Sequence, residues 1–258
     1  MELVYPPVTA FAISVFKAMG WKIDVTGTEH VPASGPAVIA TNHVGYLDFT
    51  FIGYTARASG RRVRFLAKKE VFEHKLTGPL MRGMHHIPVD RFGRATDALR
   101  DAVAALQRGE VLGMFPESTI NRSFVPGPAK TGAARMAMAA GAPLVPSAVW
   151  GSQRILTKAR PRNFQRGVAI SVAYGEPLAY EPGDDPSVVT KRLMEAIRDL
   201  VERLWTLYPQ QPADDSDRWW VPAHLGGTAP TVDEAEELAA LERAERRAHR
   251  KAQRRGGR

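Results

Sequence analysis

The sequence predicts an α/β domain: a mixed, largely parallel central sheet flanked by helices, preceded by an N-terminal amphipathic helix. Three observations carry that prediction. From Trp21 onward short apolar runs alternate with longer helical patterns, the rhythm of strands connected by helices. The chain has 258 residues, 44% of them hydrophobic, enough for one large core or a core plus a small appendage. The chemistry-bearing residues fall just after apolar runs, where sheets of this kind gather their sites.

Taken in order, residues 8–19 follow Pro6 and Pro7 and place Val8, Phe11, Ala12, Val15, Phe16 and Met19 at helical spacing. Two readings stand for this helix: it packs on the core, or it lies in a membrane interface. Strands are expected at 21–26, 37–41, 63–67, 86–89, 111–115, 144–149 and 167–173, and helices at 45–58, 94–108, 131–140 and 187–206. After Pro209 the pattern breaks up. Trp219, Trp220 and Pro222 form an aromatic cluster that either docks on the domain or dips into lipid headgroups. Residues 231–255, rich in Ala, Glu and Arg, suit a helix with a solvated surface that frays into a basic end. The expected divisions are therefore 1–20, the amphipathic helix; 21–210, the main domain; and 211–258, a C-terminal extension with a basic tail, partly disordered.

Charge is unevenly spread. Residues 242–258 hold seven Arg and one Lys against two Glu, while 212–241 hold four Asp and three Glu against one Arg. These two stretches cancel, so residues 1–211 carry the whole net charge of +8. Anions are the expected partners: phosphates, anionic lipid headgroups, an acidic carrier protein or nucleic acid. Cysteine is absent, which removes thiol nucleophiles, thiolate metal sites and disulfides and fits a reducing compartment. No run reaches the ~20 apolar residues that span a bilayer. The opening Met-Glu-Leu-Val-Tyr-Pro-Pro lacks the basic start of a secretory signal, so a cytoplasmic location is expected.

The strongest local signal is Thr41-Asn42-His43-Val44-Gly45-Tyr46-Leu47-Asp48. On one continuous helix His43 and Asp48 would stand about 140° apart around the axis and never touch. With a strand ending at Thr41, His43 falls in the turn and Asp48 in the first turn of the next helix. The carboxylate then reaches back to one ring nitrogen and leaves the other free as a general base. The plainer alternative is a histidine near a helix N-terminus with Asp48 as a first-turn charge. Further on, Phe65-Leu66-Ala67-Lys68-Lys69-Glu70 ends a strand in two cations, and Ile87-Pro88-Val89-Asp90-Arg91 ends another in an arginine, whose planar fork suits phosphate. A surface ion pair is the alternative there. Phe115-Pro116-Glu117-Ser118-Thr119-Ile120-Asn121-Arg122 places a carboxylate, hydroxyls and a cation after a third strand. Glu117 either bonds substrate hydroxyls or holds a phosphate-binding Arg; alternatively Ser118 and Thr119 simply cap a helix.

The order and spacing of these blocks, followed by Val145-Pro146 and Ala148-Val149-Trp150-Gly151, resemble the glycerolipid acyltransferase family, whose best-known members are the 1-acylglycerol-3-phosphate (lysophosphatidate) acyltransferases. The resemblance covers roughly residues 20–205. It implies a glycerol-3-phosphate acyltransferase-like fold, His43 as general base and Asp48 as its orienting partner. It also implies Arg91, with Lys69 and Arg122, on the acceptor phosphate, and Glu117 in the acceptor site. Lys130, before Thr131-Gly132-Ala133-Ala134-Arg135, is similar to the basic residue that often follows the third block. Two departures stand out: Ser118 occupies a position where the family usually has Gly, and Ile120-Asn121 separate Thr119 from Arg122.

What the resemblance implies is transfer of a fatty acyl group from acyl-CoA or acyl-carrier protein to a lysophospholipid hydroxyl. The carrier is a co-substrate; neither a metal nor another cofactor is expected, nor is nucleic acid a partner. The setting is the cytoplasmic face of a membrane bearing anionic lipid. An acyl-enzyme route is disfavoured because the chain has neither Cys nor a Gly-x-Ser-x-Gly elbow. Residues 71–84, with Leu76, Leu80, Met81 and Met84, are one candidate wall for an acyl groove. Glycerol 3-phosphate and glycolipid headgroups suit the same dyad. From other classes, a phosphoester hydrolase would use His43, Asp48, His85, His86 and Asp90, though no tight metal-ligand spacing appears. A non-enzymatic anionic-lipid binder would need only the basic surface.

Overall fold

The computed structural model describes residues 3–90 and 95–256. Within them seven strands form one sheet: β1 (Lys22–Thr26), β2 (Ala37–Thr41), β3 (Val63–Lys68), β4 (Ile87–Val89), β5 (Val111–Met114), β6 (Leu144–Trp150) and β7 (Ala169–Tyr174). The strand order is β1-β7-β6-β2-β5-β3-β4. Every neighbouring pair is parallel except β6 with β7, so the sheet is mixed and largely parallel as the sequence predicts. Each strand matches an expected run to within two residues.

The helices are α1 (Tyr5–Met19), α2 (Asp48–Thr55), α3 (Lys69–Glu73), α4 (Thr77–Gly83), α5 (Ala95–Gln107), α6 (Gly132–Ala140), α7 (Pro186–Leu207) and α8 (Val232–Gly256). Helices α1 and α2 form one layer on the sheet and α5, α6 and α7 the other. Because both faces are covered, β2, β6 and β7 are buried at every position, which explains their largely apolar sequence. Helices α3 and α4 were absent from the sequence reading. They run only 5 and 7 residues, and Gly78, Pro79 and Gly83 hide the periodicity of the second.

Helix α1 starts on Pro6 and Pro7, whose fixed φ suits a first turn, and stops at Gly20 in the left-handed conformation. Its inner face belongs to the core. The Phe16 ring stacks on Phe51 at 5.1 Å and meets Trp21 at 5.7 Å and Tyr54 at 5.6 Å. Tyr5 is buried as well, with the Arg64 guanidinium 5.1 Å from its ring centre. The outer face keeps Phe11 exposed. Of the two readings, core packing thus describes the Phe16 face alone.

The C-terminal extension folds back on the domain. Trp220 is buried under the Arg154 guanidinium, 4.4 Å from its ring, and Trp219 meets Arg160 at 5.1 Å. The two tryptophans dock on the domain. Beyond them α8 lies against the body through Ala235, which is buried.

Candidate active site

Strands β2, β3, β4, β5 and β6 run in one direction, so their C-terminal ends share one edge of the sheet. That edge assembles the site. After β2, Asn42 locks onto β6 by a reciprocal pair: its Nδ2 donates to the Val149 carbonyl at 3.0 Å and its Oδ1 accepts from the Val149 N–H at 2.8 Å. The chain then turns, and Asp48 opens α2 fully buried. Its Oδ2 accepts from the Val44 N–H at 2.8 Å, the Gly45 N–H at 2.9 Å and His43 Nδ1 at 2.9 Å, while its Oδ1 accepts from the Ser152 hydroxyl. A carboxylate only accepts, so Nδ1 carries the proton and Nε2 presents its lone pair to the cleft that His43 lines.

Two glycines make this arrangement possible. A Cβ on Gly45 would lie 2.9 Å from Ser152 Oγ and 3.1 Å from the Leu156 carbonyl oxygen, too close for any side chain. Gly151 has φ +95°, and its Cβ would fall 2.1 Å from the Ala169 carbonyl oxygen. That turn aims Ser152 at Asp48. Ser152 is a residue the sequence reading missed; its signal was a hydroxyl immediately after the Trp150-Gly151 block.

The loop after β5 braces the other side of His43. Phe115 stacks beneath the imidazole at 4.0 Å with 22° between the planes. Glu117 accepts from the His43 N–H at 3.1 Å, the Gly127 N–H at 3.1 Å and Asn121 Nδ2 at 3.2 Å. Burial pushes its carboxyl above the usual range, and these donors, Gly127 first, pull it back down. Asn121 completes the link by donating its N–H to the His43 carbonyl at 3.0 Å. Glu117 therefore ties two loops together rather than facing the acceptor space, where the sequence reading had put it.

His43 opens on a cleft of about 770 Å³, walled by Phe49, Leu66, Val71, Leu99, Phe115 and Met136 and dotted with the cations Lys68, Lys130, Arg135 and Lys158. The expected residues distribute unevenly around it. Lys130 lines it. Lys69 does not: its Nζ pairs with Glu73 at 3.7 Å on an exposed surface, and its neighbour Lys68 lines the cleft instead. Arg122 Nη2 is held by Glu242 of α8 at 2.6 Å, and the same glutamate bonds Lys158. Arg91 lies outside the described residues. Of residues 71–84, expected as a groove wall, Val71 lines the cleft, whereas Leu76, just before α4, and Leu80 within it are exposed and do not line it. His86 serves the sheet: its Nδ1 accepts from the Phe65 N–H at 3.0 Å, and burial with the nearby Arg64 guanidinium lowers its pKa to about 4.

A sequence profile described as Acyltransferase matches residues 22–150, half of the chain. The chain belongs to the acyltransferase family. It is 29% identical to the 1-acyl-sn-glycerol-3-phosphate acyltransferase of Bacillus subtilis (strain 168) over 201 residues, which cover 76% of this chain and 96% of that one. It is 30% identical over 139 residues to the chloroplastic 1-acyl-sn-glycerol-3-phosphate acyltransferase BAT2 of Brassica napus, covering 53% of this chain and 39% of that longer protein. The crystal structure of the 1-acyl-sn-glycerophosphate (LPA) acyltransferase PlsC from Thermotoga maritima matches with a TM-score of 0.65 at 22% identity, over 79% of this chain and 80% of that one, and shares the fold.

The acyltransferase match takes in His43, Asp48 and Glu117 but stops before Ser152, Lys158 and Glu242, which complete the site. Ser118 stands where the sequence resemblance implies Gly. Ser118 has φ +60°, a left-handed conformation that glycine adopts freely and a Cβ opposes. Ser118→Gly should therefore stabilise the fold by about 1 kcal/mol. Urea unfolding of both proteins checks this; an unchanged or lower midpoint would contradict it.

Proposed function

We propose that this acyltransferase moves a fatty acyl group from acyl-CoA or acyl-carrier protein to the free hydroxyl of 1-acylglycerol 3-phosphate, giving phosphatidic acid. The observation that carries this reading is the His43 imidazole, oriented by Asp48 and facing a mainly apolar cleft studded with cations. The relatives named 1-acyl-sn-glycerol-3-phosphate acyltransferases support the choice of acceptor.

In this mechanism Nε2 takes the proton of the acceptor hydroxyl as its oxygen attacks the thioester carbonyl. The tetrahedral intermediate collapses by breaking the carbon–sulfur bond, and the imidazolium returns the proton to the departing thiolate. Asp48 stabilises the imidazolium between the two transfers. Phe49, Leu66, Leu99 and Met136 receive the acyl chain, and the cleft cations together with Arg91 hold the acceptor phosphate. Glu117 acts through the His43 backbone and is a positioning residue.

The substrate and product are lipids, so the chain works at a membrane, on its cytoplasmic face and peripherally. Among the described residues no helix is long and apolar enough to cross a bilayer. Leu3, Phe11, Leu76 and Leu80 are exposed large apolar residues. Helices α1 and α4 adjoin, since a Cβ on Gly83 would lie 2.5 Å from Val4. These side chains enter the interface while the basic body meets anionic lipid, at about 1 kcal/mol for each cation near the surface.

Incubation with labelled acyl-CoA and a panel of lyso-acceptors, read by product mass, tests the acceptor; phosphatidic acid should dominate. His43→Ala should lower turnover roughly 10²–10⁴-fold with the circular dichroism spectrum unchanged. Turnover near the parent value in the folded variant would reject the mechanism.

Binding to anionic vesicles should weaken in high salt without vanishing, because screening acts over ~8 Å at physiological ionic strength while apolar insertion is unscreened. The quadruple variant Leu3→Ser, Phe11→Ser, Leu76→Ser, Leu80→Ser should release fully. Co-sedimentation across a salt series checks both, and complete salt release of the parent protein would remove the apolar contribution.

A further inference from the structure

Glu242 lies in α8, beyond the residues that the family profile matches, yet it reaches the rim of the cleft. One of its oxygens accepts from Arg122 Nη2 at 2.6 Å and the other from Lys158 Nζ, whose ammonium also reaches Thr119 Oγ1 at 3.4 Å. Lys158 and Thr119 line the cleft that His43 opens on, and Asn121, next to Arg122, is bonded to the His43 carbonyl. An anion is therefore already seated between two cations, one of which, Lys158, lines the cleft.

The seat is imperfectly filled. Arg122 Nε is buried and has no hydrogen-bond partner among the described residues. Glu242 meets Arg122 through Nη2 and Lys158 through Nζ, and in this geometry Arg122 Nε stays unserved. A phosphomonoester has three terminal oxygens and about −1.5 to −2 charge at pH 7. With one oxygen and more charge beyond what a carboxylate offers, it can serve Nη2, Nε and Nζ together. A buried unsatisfied donor is costly, so this difference favours exchange of the carboxylate for the phosphate.

We propose that Lys158 and Arg122 form the seat of the acceptor phosphate and that Glu242 is its resident counter-ion, displaced when the acceptor binds. The α8 segment is thus a strap that competes with substrate. This inference rests on the phosphorylated acceptor proposed above. It singles out Lys158 among the cleft cations, sets Arg122 beside it and makes the C-terminal helix an internal competitor. The strap suits exchange: apart from Ala235, the side chains of α8 between Val232 and Leu241 are exposed or half-buried, and Leu241 is exposed.

The test uses the full chain and steady-state kinetics on 1-acylglycerol 3-phosphate with one acyl-CoA. Glu242→Gln should lower the acceptor KM about tenfold, the equivalent of one charged hydrogen bond, while the donor KM stays unchanged. Inorganic phosphate should inhibit this variant at correspondingly lower concentration. Lys158→Ala should raise the acceptor KM about tenfold or more. Glu237→Gln, an exposed charge removed from the same helix, should leave both constants alone and so separates the ion pairs from the helix charge in general. An acceptor KM that is unchanged or raised in Glu242→Gln overturns the proposal, as does a Lys158→Ala effect confined to the donor. If the parent enzyme acylates phosphate-free acceptors equally well, the acceptor reading itself fails, and this inference with it.

Discussion

The site depends on one buried carboxylate. Asp48 has no solvent access, and an unpaired charge there would cost several kcal/mol. Four donors remove that cost: the Val44 and Gly45 N–H groups, the Ser152 hydroxyl and His43 Nδ1. Each hydrogen bond to a charged group is worth roughly 1.5–3 kcal/mol. Two of the four come from the turn that carries His43 and one from the end of β6. Satisfying Asp48 therefore fixes the turn, the imidazole and the junction of two strands at once.

The rest of the fold can be understood as what lets those donors converge. The parallel strands β2 and β6 are neighbours and end at the same edge, which brings position 43 to position 152 across more than a hundred residues of chain. Asn42 pins that junction through Val149. Gly45 and Gly151 supply the close approach and the left-handed turn. On the far side, Glu117 and Asn121 hold the backbone of His43 by its N–H and its carbonyl, and Phe115 holds the ring face. The imidazole is thus constrained from both ends, and among the described residues no hydrogen bond occupies its Nε2, as the proposed base requires.

Much of this was legible in the sequence, and what was not has physical reasons. Seven apolar runs and their spacing specified the strands, and a histidine after one of them with an aspartate in the next helical turn specified a contact that local geometry alone makes. Lys68 and Lys69 show the limit. Lys68 closes β3 and Lys69 already opens α3, so the change from extended to helical backbone between them decides which lysine reaches the cleft. Glu117 shows another: its target was decided by Asn121 and Gly127, loop positions with no periodicity to reveal them. Ser152 and Glu242 reach the site from 104 and 120 residues away, respectively, from Asp48 and Arg122, and only the assembled sheet and the folded-back extension bring them there.

The account rests on Asp48 acting through His43, and a double-mutant cycle on turnover tests that most directly. Asp48→Asn is close to isosteric: the side-chain carbonyl still accepts from the two backbone N–H groups and from Nδ1, so what is lost is the charge that stabilises the imidazolium. Single-turnover rates are measured for the parent, His43→Ala, Asp48→Asn and the double variant, with product lipid read by mass. The account predicts that Asp48→Asn slows the parent severely and adds nothing once His43 is gone. Losses that multiply, leaving the double variant slower than His43→Ala by the full Asp48→Asn factor, would contradict it.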